Sequence, residues 1–444
     1  RNVASIVGSK FNDVLTGNEL RNFLAGGYGN DILQGGKGDD GLFGAMGDDT
    51  YIFARGDGAD NITEMVEAGS RNVVSFLAGV SADQLWFRQV GANLEVSTIG
   101  TADRITINGW YNAGSPPRID EFRTANGRVL LGSDVENLVR AMAVLVPPPA
   151  GQLTLPAGIA AALAPALAQN WRTEGPNQPT NGTFTGTANP DIIKGTAGAD
   201  VMAGLGGDDI YYVNHGGDAV VEQAGGGRDT VYTTVNHTLA ANVEEVHVSA
   251  AGLTVTGNGN ANVFHVDAAG GNVLRGVGAN TSATYAASKA GVTAAMIAVN
   301  GDATARPGSD VLVNISNVTG SAHDDVLSGN ELANTLSGGL GNDTLQGGKG
   351  DDVLTGGLGD DIYVFARGDG ADVIAEPSAD ANYDSIAFLA GVNIDQLWFR
   401  QVGADLEVST IGTTDKITIR SWNGAAPNIE EFRTAAGHVM RGAD

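Results

Sequence analysis

GSKFNDVLT-GNELRNFLA-GGYGNDILQ-GGKGDDGLF-GAMGDDTYI, residues 8–52, is the stretch that decides the fold. Read in steps of nine from Gly8, it repeats one pattern. The frame returns at 320–364 as GSAHDDVLS-GNELANTLS-GGLGNDTLQ-GGKGDDVLT-GGLGDDIYV, and for three units at 186–212 as GTANPDIIK-GTAGADVMA-GLGGDDIYY. In all thirteen nonamers the sixth residue is Asp or Asn, and the eighth is Leu, Ile, Met or Tyr.

Each unit has two physical halves. The first six residues hold glycines, which permit positive φ and a tight turn. The sixth-position acid closes that turn and offers carboxylate oxygens. The last three residues form a short strand whose middle residue, such as Leu33 or Leu345, faces a core. One nonamer cannot bury that residue alone, so neighbours must stack. Successive turns then fall on alternate sides of a flat spiral, and turns two units apart bring their acids together. Stacked carboxylates repel, which demands a cation between turns. Hard oxygen ligands, several per site and without Cys or His, point to calcium rather than a transition metal. A flexible glycine-rich linker would not keep an apolar residue at every ninth position.

The pattern resembles the RTX (repeats-in-toxin) family, whose GGxGxDxUx repeat forms a calcium-loaded parallel β-roll. The resemblance implies an all-β fold of parallel β-rolls binding multiple Ca2+ ions through sixth-position side chains and turn carbonyls. Those side chains are Asp13, Asp31, Asp40, Asp49, Asp191, Asp200, Asp209, Asp325, Asp343, Asp352 and Asp361. Asn22 and Asn334 occupy the same position; an amide oxygen ligates without charge, so weaker sites are expected there. Phe11 and His323 replace the fourth glycine in the first turn of each long run. FARGDGADNITE (53–64) and FARGDGADVIAE (365–376) keep the turn chemistry, making Asp60 and Asp372 the expected last ligands. Asp229 is expected to ligate in the irregular stretch, with Asp218 a weaker candidate. The Arg-Gly-Asp triplets at 55–57 and 367–369 read as turns serving ion geometry rather than as integrin motifs.

A longer repeat sets the organisation. Residues 1–134 match 313–444, and DQLWFRQVGANLEVSTIG (83–100) recurs at 395–412 with one change. The expected division is a β-roll at 1–71 and a calcium-binding-related cap module with a terminal helix at 72–146. A Pro/Ala-rich helical linker follows at 147–182, an irregular β-solenoid segment at 183–319, a second roll at 320–383, and a second, truncated cap at 384–444. The caps alternate apolar and polar residues, as in LWFRQV, LEVSTI and IDEFRT, and resemble the haemolysin-type calcium-binding-related module. Their aromatics (Trp86, Phe87, Trp110, Trp398, Phe399, Trp422) read as core rather than as a sugar platform. Ser133-Asp-Val-Glu136 has a capping-box pattern at a helix start, and an Ala-rich helix is expected from about 156 to 171. From 230 to 300, Asn-Gly turns and β-branched strands with few Asp predict Asn and hydrophobic ladders that need no calcium.

Composition limits function. There are 51 Asp+Glu against 25 Lys+Arg, a net charge of −26, 65 Gly and no Cys among 444 residues. So acidic a chain lacks the electrostatic footprint for nucleic acid or an anionic membrane. No run of 18 apolar residues exists, so no membrane-spanning segment is expected. Without Cys there are no disulfides and no thiolate sites. Roughly eight to twelve divalent ions, as hard-oxygen sites would hold them, would bring −26 to between mildly acidic and near neutral. No HExxH, GxSxG or P-loop is present, so no enzyme is expected. The six His (215, 237, 247, 265, 323, 438) read as scattered surface residues. Both ends read as cuts from a longer chain with a unit near 310 residues, since Arg1 aligns with Val313 and Asp444 with Asp134. By resemblance the protein is secreted from bacteria by type I export, folds on extracellular calcium and builds an adhesin, filament or surface layer, with self-association at open strand edges. The alternative is the C-terminal calcium module of a secreted enzyme or cytolysin whose active domain lies elsewhere.

Overall fold

The structure, a computed structural model, describes residues 3–65, 70–112, 119–174, 183–297, 308–376, 382–422 and 429–442. The chain forms two compact units. One comprises residues 1–178, 185–193 and 204–209; the other comprises 179–184, 194–203 and 210–444.

In the first unit the nine-residue frame becomes parallel strand pairing between alternate repeats. Val14–Thr16 pairs with Ile32–Gln34, which pairs with Thr50–Phe53. The intervening strands Ser5–Val7, Phe23–Tyr28, Gly41–Met46 and Ala59–Thr63 form a second parallel sheet. Leu15 stands opposite Leu33, and Leu24 opposite Leu42, each 18 residues on. Side chains alternate along a strand, so every eighth-position residue points to one side. Leu15, Leu24, Leu33, Leu42 and Tyr51 accordingly share one core. This is a parallel β-roll, the fold class the repeat implies.

Beyond the last turn both sheets change hand. Arg104–Ile107 pairs parallel with Ala59–Thr63, then antiparallel with Asn93–Thr98, which pairs with Leu85–Val90. Glu121–Thr124 joins Val73–Phe76 in parallel and Arg128–Leu131 antiparallel. Trp171–Glu174, placed by its sequence in the linker, is a strand that pairs antiparallel with Arg128–Leu131 and parallel with the strand holding Asp191. The Ala-rich helix runs Ala157–Asn170, and the preceding helix Val135–Ala143. The expected Ser133–Glu136 capping box is not formed. Ser133 lies in a 3-10 turn, Gly132–Asp134, and the N-cap residue Asp134 makes no side-chain cap bond. Asp134 instead pairs with Arg172, while Glu136 takes Arg140 at 3.0 Å. The tail of the linker, 175–182, lies outside the described residues.

In the second unit one parallel sheet runs through Ile210–Val213, Thr230–Thr233, Glu245–Val248, Val263–Val266, Ser282–Thr284 and Asn317–Thr319. It continues without a break into Thr335–Leu340, Val353–Leu358 and Ala371–Ile374. From Ile210 on, the irregular segment and the second set of nonamers are therefore one continuous coil. Lys416–Ile419 and the antiparallel strands Asp405–Thr410 and Leu397–Val402 close this sheet as in the first unit.

The two caps differ in one respect. In the first, Trp86, Phe87 and Trp110 are buried as expected, with the helix Val135–Ala143 against them; the Phe87 N–H donates to Met142 Sδ at 3.2 Å. In the second, Phe399 and Trp422 still pack on Phe432, at ring separations of 5.2 and 6.1 Å. Trp398, expected in the core, is instead 62% exposed; among the described residues no helix packs on its strand as Val135–Ala143 packs on Leu85–Val90.

Candidate metal centre

The turns that join the strands stack into columns. Along each column the backbone N–H of one sixth-position residue donates to a carboxylate oxygen of the residue two repeats on. Asp13 donates to Asp31 Oδ1 at 2.8 Å, and Asp31 to Asp49 Oδ1 at 2.8 Å. On the other edge, Asn22 donates to Asp40 Oδ1 at 2.6 Å and Asp40 to Asp60 Oδ1 at 2.8 Å. Asp191 donates to Asp209, and Asp200 to Asp218, at 2.7 and 3.0 Å. The second set of nonamers repeats this: Asp325 to Asp343, Asp343 to Asp361, Asn334 to Asp352, and Asp352 to Asp372, at 2.7–3.0 Å. The 18-residue step, lengthened to 20 for Asp40–Asp60 and Asp352–Asp372, is what aligns a backbone donor with a side-chain acceptor.

One oxygen of each such carboxylate is thus satisfied. The other is the informative one. Oδ2 of Asp31, Asp40, Asp343, Asp352 and Asp361, and Oδ1 of Asp191, are buried and accept no hydrogen bond among the described residues. A buried carboxylate oxygen without a donor is costly, and here the cost recurs from turn to turn. Burial, the largest cause, pushes Asp343 and Asp352 up to about 6 and Asp60, Asp361 and Asp372 up to about 7. It raises Asp31, Asp40 and Asp191 as well. The first glycine of each turn is there because of the acid. A Cβ on Gly35 would lie 2.3 Å from Asp40 Oδ2, and one on Gly347 2.2 Å from Asp352 Oδ2. The turns thus present hard anionic oxygens beside a small backbone space, a donor set that suits calcium.

The expected ligands fall into two groups. Where the second residue of the nonamer is glycine, the acid keeps a free oxygen, as in the five Oδ2 cases. Where it is Ser or Thr, the turn itself engages the acid. Ser9 donates through N and Oγ to Asp13 Oδ2, at 2.6 and 2.8 Å. Thr187 does the same to Asp191 Oδ2, Thr196 to Asp200, and Ser321 to Asp325. Asn22 and Asn334 accept from the second-position N–H of Asn18 and Asn330, at 2.7 and 2.9 Å. Asp229 is buried, and its N–H donates to Glu244 at 2.9 Å. Asp218 accepts from Asp200, Asn214 and His215, each at 3.0 Å, a fuller place in a column than its sequence suggested. The Arg-Gly-Asp triplets are turns: Asp57 and Asp369 are buried, and Arg55 and Arg367 donate to the carbonyls of Gly79 and Gly391.

Three features escaped the sequence reading. The columns run past the nonamers: Asp49 donates to Asn72 at 2.8 Å and Asn72 to Asp120 at 2.7 Å, while Asp361 donates to Asp384 at 2.9 Å and Asp384 to Glu430 at 2.7 Å. Their spacings of 23, 48 and 46 residues break the nine-residue frame. Burial takes Asp384 to about 8. Second, the last nonamer of each run carries Tyr at its eighth position, and Tyr51 and Tyr211 donate to Glu64 and Glu222 from within the core. The Tyr363 hydroxyl in turn accepts from Gly356 N at 2.6 Å, and Glu376 accepts from the same N–H. The exceptional Tyr at a Leu position was the available signal. Third, two of the supposedly scattered histidines form a stack with tyrosines on successive strands: Tyr212–Tyr232, Tyr232–His247 and His247–His265, at 5.2, 4.1 and 4.4 Å.

Comparison with known proteins agrees with this geometry. The family described as RTX calcium-binding nonapeptide repeat (4 copies) matches residues 16–51, 183–220 and 328–363. The haemolysin-type calcium binding protein related domain matches residues 93–134. The chain therefore carries RTX calcium-binding repeats and a related domain. Among solved structures it is similar to the extracellular lipase LipA from Serratia marcescens, at 13% identity and a TM-score of 0.13. That match covers 95% of this chain and 38% of the lipase chain. No helix among the described residues is long and apolar enough to cross a membrane.

Proposed function

We propose that this chain is a calcium-dependent structural segment of a bacterial extracellular protein, which folds when calcium fills its turns after export. Asp31, Asp40, Asp343, Asp352 and Asp361, with turn carbonyls, supply the strongest ligands; Asp49, Asp60, Asp209, Asp229 and Asp372 extend the columns. Asp13, Asp191, Asp200 and Asp325, engaged by Ser or Thr, and the uncharged Asn22 and Asn334 supply weaker ones. The observation that carries this reading is the series of buried carboxylate oxygens that meet no donor. Without a cation their mutual repulsion and desolvation oppose folding; with one, binding energy becomes folding energy. Sites of extracellular type bind with dissociation constants on the order of 10⁻⁴–10⁻³ M, which keeps the chain extended where calcium is scarce and folded where it is plentiful. The coils then serve as stiff rods, and their open strand edges favour end-to-end assembly.

Circular dichroism during calcium titration tests the core of this reading: β signal should rise with calcium and collapse in excess chelator. A spectrum indifferent to chelator overturns it. Electron microscopy with calcium tests the assembly; discrete particles at every concentration would reject the filament.

A further inference from the structure

The two caps carry the same surface, covered in one and open in the other. DQLWFRQVGANLEVSTIG (83–100) and DQLWFRQVGADLEVSTIG (395–412) differ only in Asn93 against Asp405. Both fold into the same antiparallel pair in the same register: Trp86 stands opposite Ser97, and Trp398 opposite Ser409. Side chains alternate along a strand, so Ile99 and Ile411, two residues beyond those serines, share the tryptophan's face. Trp86 and Ile99 are 4% and 3% exposed, whereas Trp398 and Ile411 are 62% and 51% exposed. The same contrast holds at the sheet edge, where Val129 is 1% exposed and Val439 51%.

The first unit shows what belongs on this surface. The helix Val135–Ala143 packs on Leu85–Val90. It buries Val135, Leu138, Val139 and Met142, the i, i+3, i+4, i+7 face of an amphipathic helix. Those residues share one core with Trp86, Phe87 and Ile99. The chain beyond the helix closes over the strand ends: Gly151 N donates to the Gly100 carbonyl at 2.7 Å, and Gln84 Nε2 to the Leu153 carbonyl at 2.9 Å. Trp171–Glu174 completes the cover by pairing with Arg128–Leu131. In the second unit Val439–Arg441 ends its sheet among the described residues. A Cβ on Gly100 would strike the Gln152 carbonyl, whereas one on Gly412 would meet nothing within 4 Å. The strands are alike, so what separates the two surfaces is the covering segment.

We propose that the second cap is a docking site for an amphipathic helix of a partner chain, one that presents Val-x-x-Leu-Val-x-x-Met on its apolar face as residues 135–142 do. The helix lies over Leu397–Val402 with Trp398 as its anchor, in the manner of a helix laid into an apolar groove. Trp398 and Ile411 are diagonal neighbours across the strand pair, within reach of one another. Together they form an exposed apolar patch of the kind that marks an interaction site, and tryptophan is a frequent anchor of such sites. The occupant comes from another chain because the helix of this pattern among the described residues is already seated on the first cap, with Val135 and Leu138 fully buried there. The helix Ala157–Asn170 lacks such a face and buries only Leu163 and Asn170. Docking of this kind needs the folded cap and no ion of its own.

The test adds a synthetic peptide of residues 133–145, which contains no tryptophan, to the full chain in calcium. Trp398 is the one strongly exposed tryptophan of five, so acrylamide quenching of fluorescence reads its cover. The peptide should reduce quenching saturably and shift emission to the blue. Leu138→Asp with Met142→Asp in the peptide, or Trp398→Ser in the chain, should weaken the effect about tenfold or more, as loss of an anchor does. Trp398 is exposed, so its replacement spares the fold, which circular dichroism checks. So short a helix is marginal alone in water, and a second arm therefore fuses residues 135–174 after Asp444, which raises the effective concentration. Quenching of Trp398 should then fall to the level of the buried tryptophans. Trp398 that stays quenchable in both arms overturns the proposal. Cover in the fused chain alone, with the peptide inert up to millimolar, overturns the partner-chain assignment. Equal effects of wild-type and substituted peptides, or pairing of two full chains that Trp398→Ser abolishes and the peptide does not compete, overturn it as well.

Discussion

Two stretches of the second unit follow the same coil with opposite turn chemistry. From 320 to 374 the buried turn positions include Asp343, Asp352 and Asp361, each with an oxygen that meets no donor among the described residues. From 230 to 297 the corresponding buried groups are amides and hydroxyls, and they close on themselves. Asn262 Oδ1 accepts from Asn258 N at 2.9 Å and its Nδ2 donates to the Val243 carbonyl at 2.9 Å. Asn272 accepts from Leu253 N and donates to the Ala268 carbonyl, both at 2.9 Å. Thr281 donates to the Gly278 carbonyl at 3.0 Å. The strands of both stretches belong to one pair of parallel sheets and bury apolar residues between them, such as Val246 and Phe264 in one and Leu345 and Leu354 in the other. The coil is therefore specified by the apolar residue and the tight turn. The acid adds a condition for folding rather than the fold itself.

Calcium removal should separate the two most strongly. In excess chelator, amide hydrogen exchange should lose protection throughout 320–374 while 230–297 keeps it. Equal loss in both would erase the distinction. Acid should partly reverse the effect. Burial lifts the folded-state values of Asp343, Asp352 and Asp361 to about 6–7, against about 3.9 for Asp in an unfolded chain. The calcium-free fold thus holds protons more tightly than the unfolded chain. Its stability is greatest below about pH 4 and falls as pH rises through 6–7. In chelator, β signal from the rolls should return on acidification, with calcium-loaded protein showing the opposite trend. No recovery at any pH would mean that carboxylate desolvation is not what holds the apo roll open.

Next in size come single ligands. Asp343→Ala should raise the calcium midpoint about tenfold or more, since even outer-shell changes move metal affinity by that much. Asp325→Ala, whose carboxylate is already engaged by Ser321, and Asn334→Ala should each do less. Equal shifts in calorimetric titration would reject this order.

Much of the coil and its columns was legible because a nine-residue period converts directly into an 18-residue register. Asp31 and Asp343 could be placed from sequence since their partners lie at that fixed offset. Asn72, Asp120 and Asp384 could not, because loops of irregular length intervene and only the fold brings them into line. The split between Gly-Gly turns and Ser- or Thr-containing turns was present in the sequence. It acquires meaning only when Ser321 Oγ is seen 2.9 Å from Asp325. The exposure of Trp398 was hidden for a different reason. Its strand is identical to that of Trp86 (LWFRQV in both), and what packs on the Trp86 strand is the helix Val135–Ala143, much later in the chain.

The asparagine stretch should respond to mutation independently of calcium. Asn272→Ala leaves Leu253 N and the Ala268 carbonyl without their partners in a buried site, a loss of about 1–3 kcal/mol. Chemical denaturation should show it equally with calcium and with chelator; a calcium-dependent loss would mean that the two stretches share one folding condition.

The smallest effect concerns how each stretch makes its left-handed turns. Asn280 and Asn314, with φ of 58° and 52°, lie in or beside the asparagine stretch, where a short polar side chain tolerates that region. The rolls use glycine, as at Gly36 and Gly38 with φ of 88° and 129°. Ala45 is an exception, a second-position residue held at φ 84° where Gly27 and Gly36 stand in neighbouring turns. Its Cβ opposes the turn, and left-handed backbone costs a non-glycine residue roughly 1–2 kcal/mol. Ala45→Gly returns flexibility to the unfolded chain, which offsets part of that gain. The net result should be a calcium-loaded roll more stable by about 0.5–1 kcal/mol, seen as a small rise in thermal midpoint. A fall would show that the methyl group contributes packing worth more than the strain it imposes. The turns of the roll would then depend on more than glycine and acid.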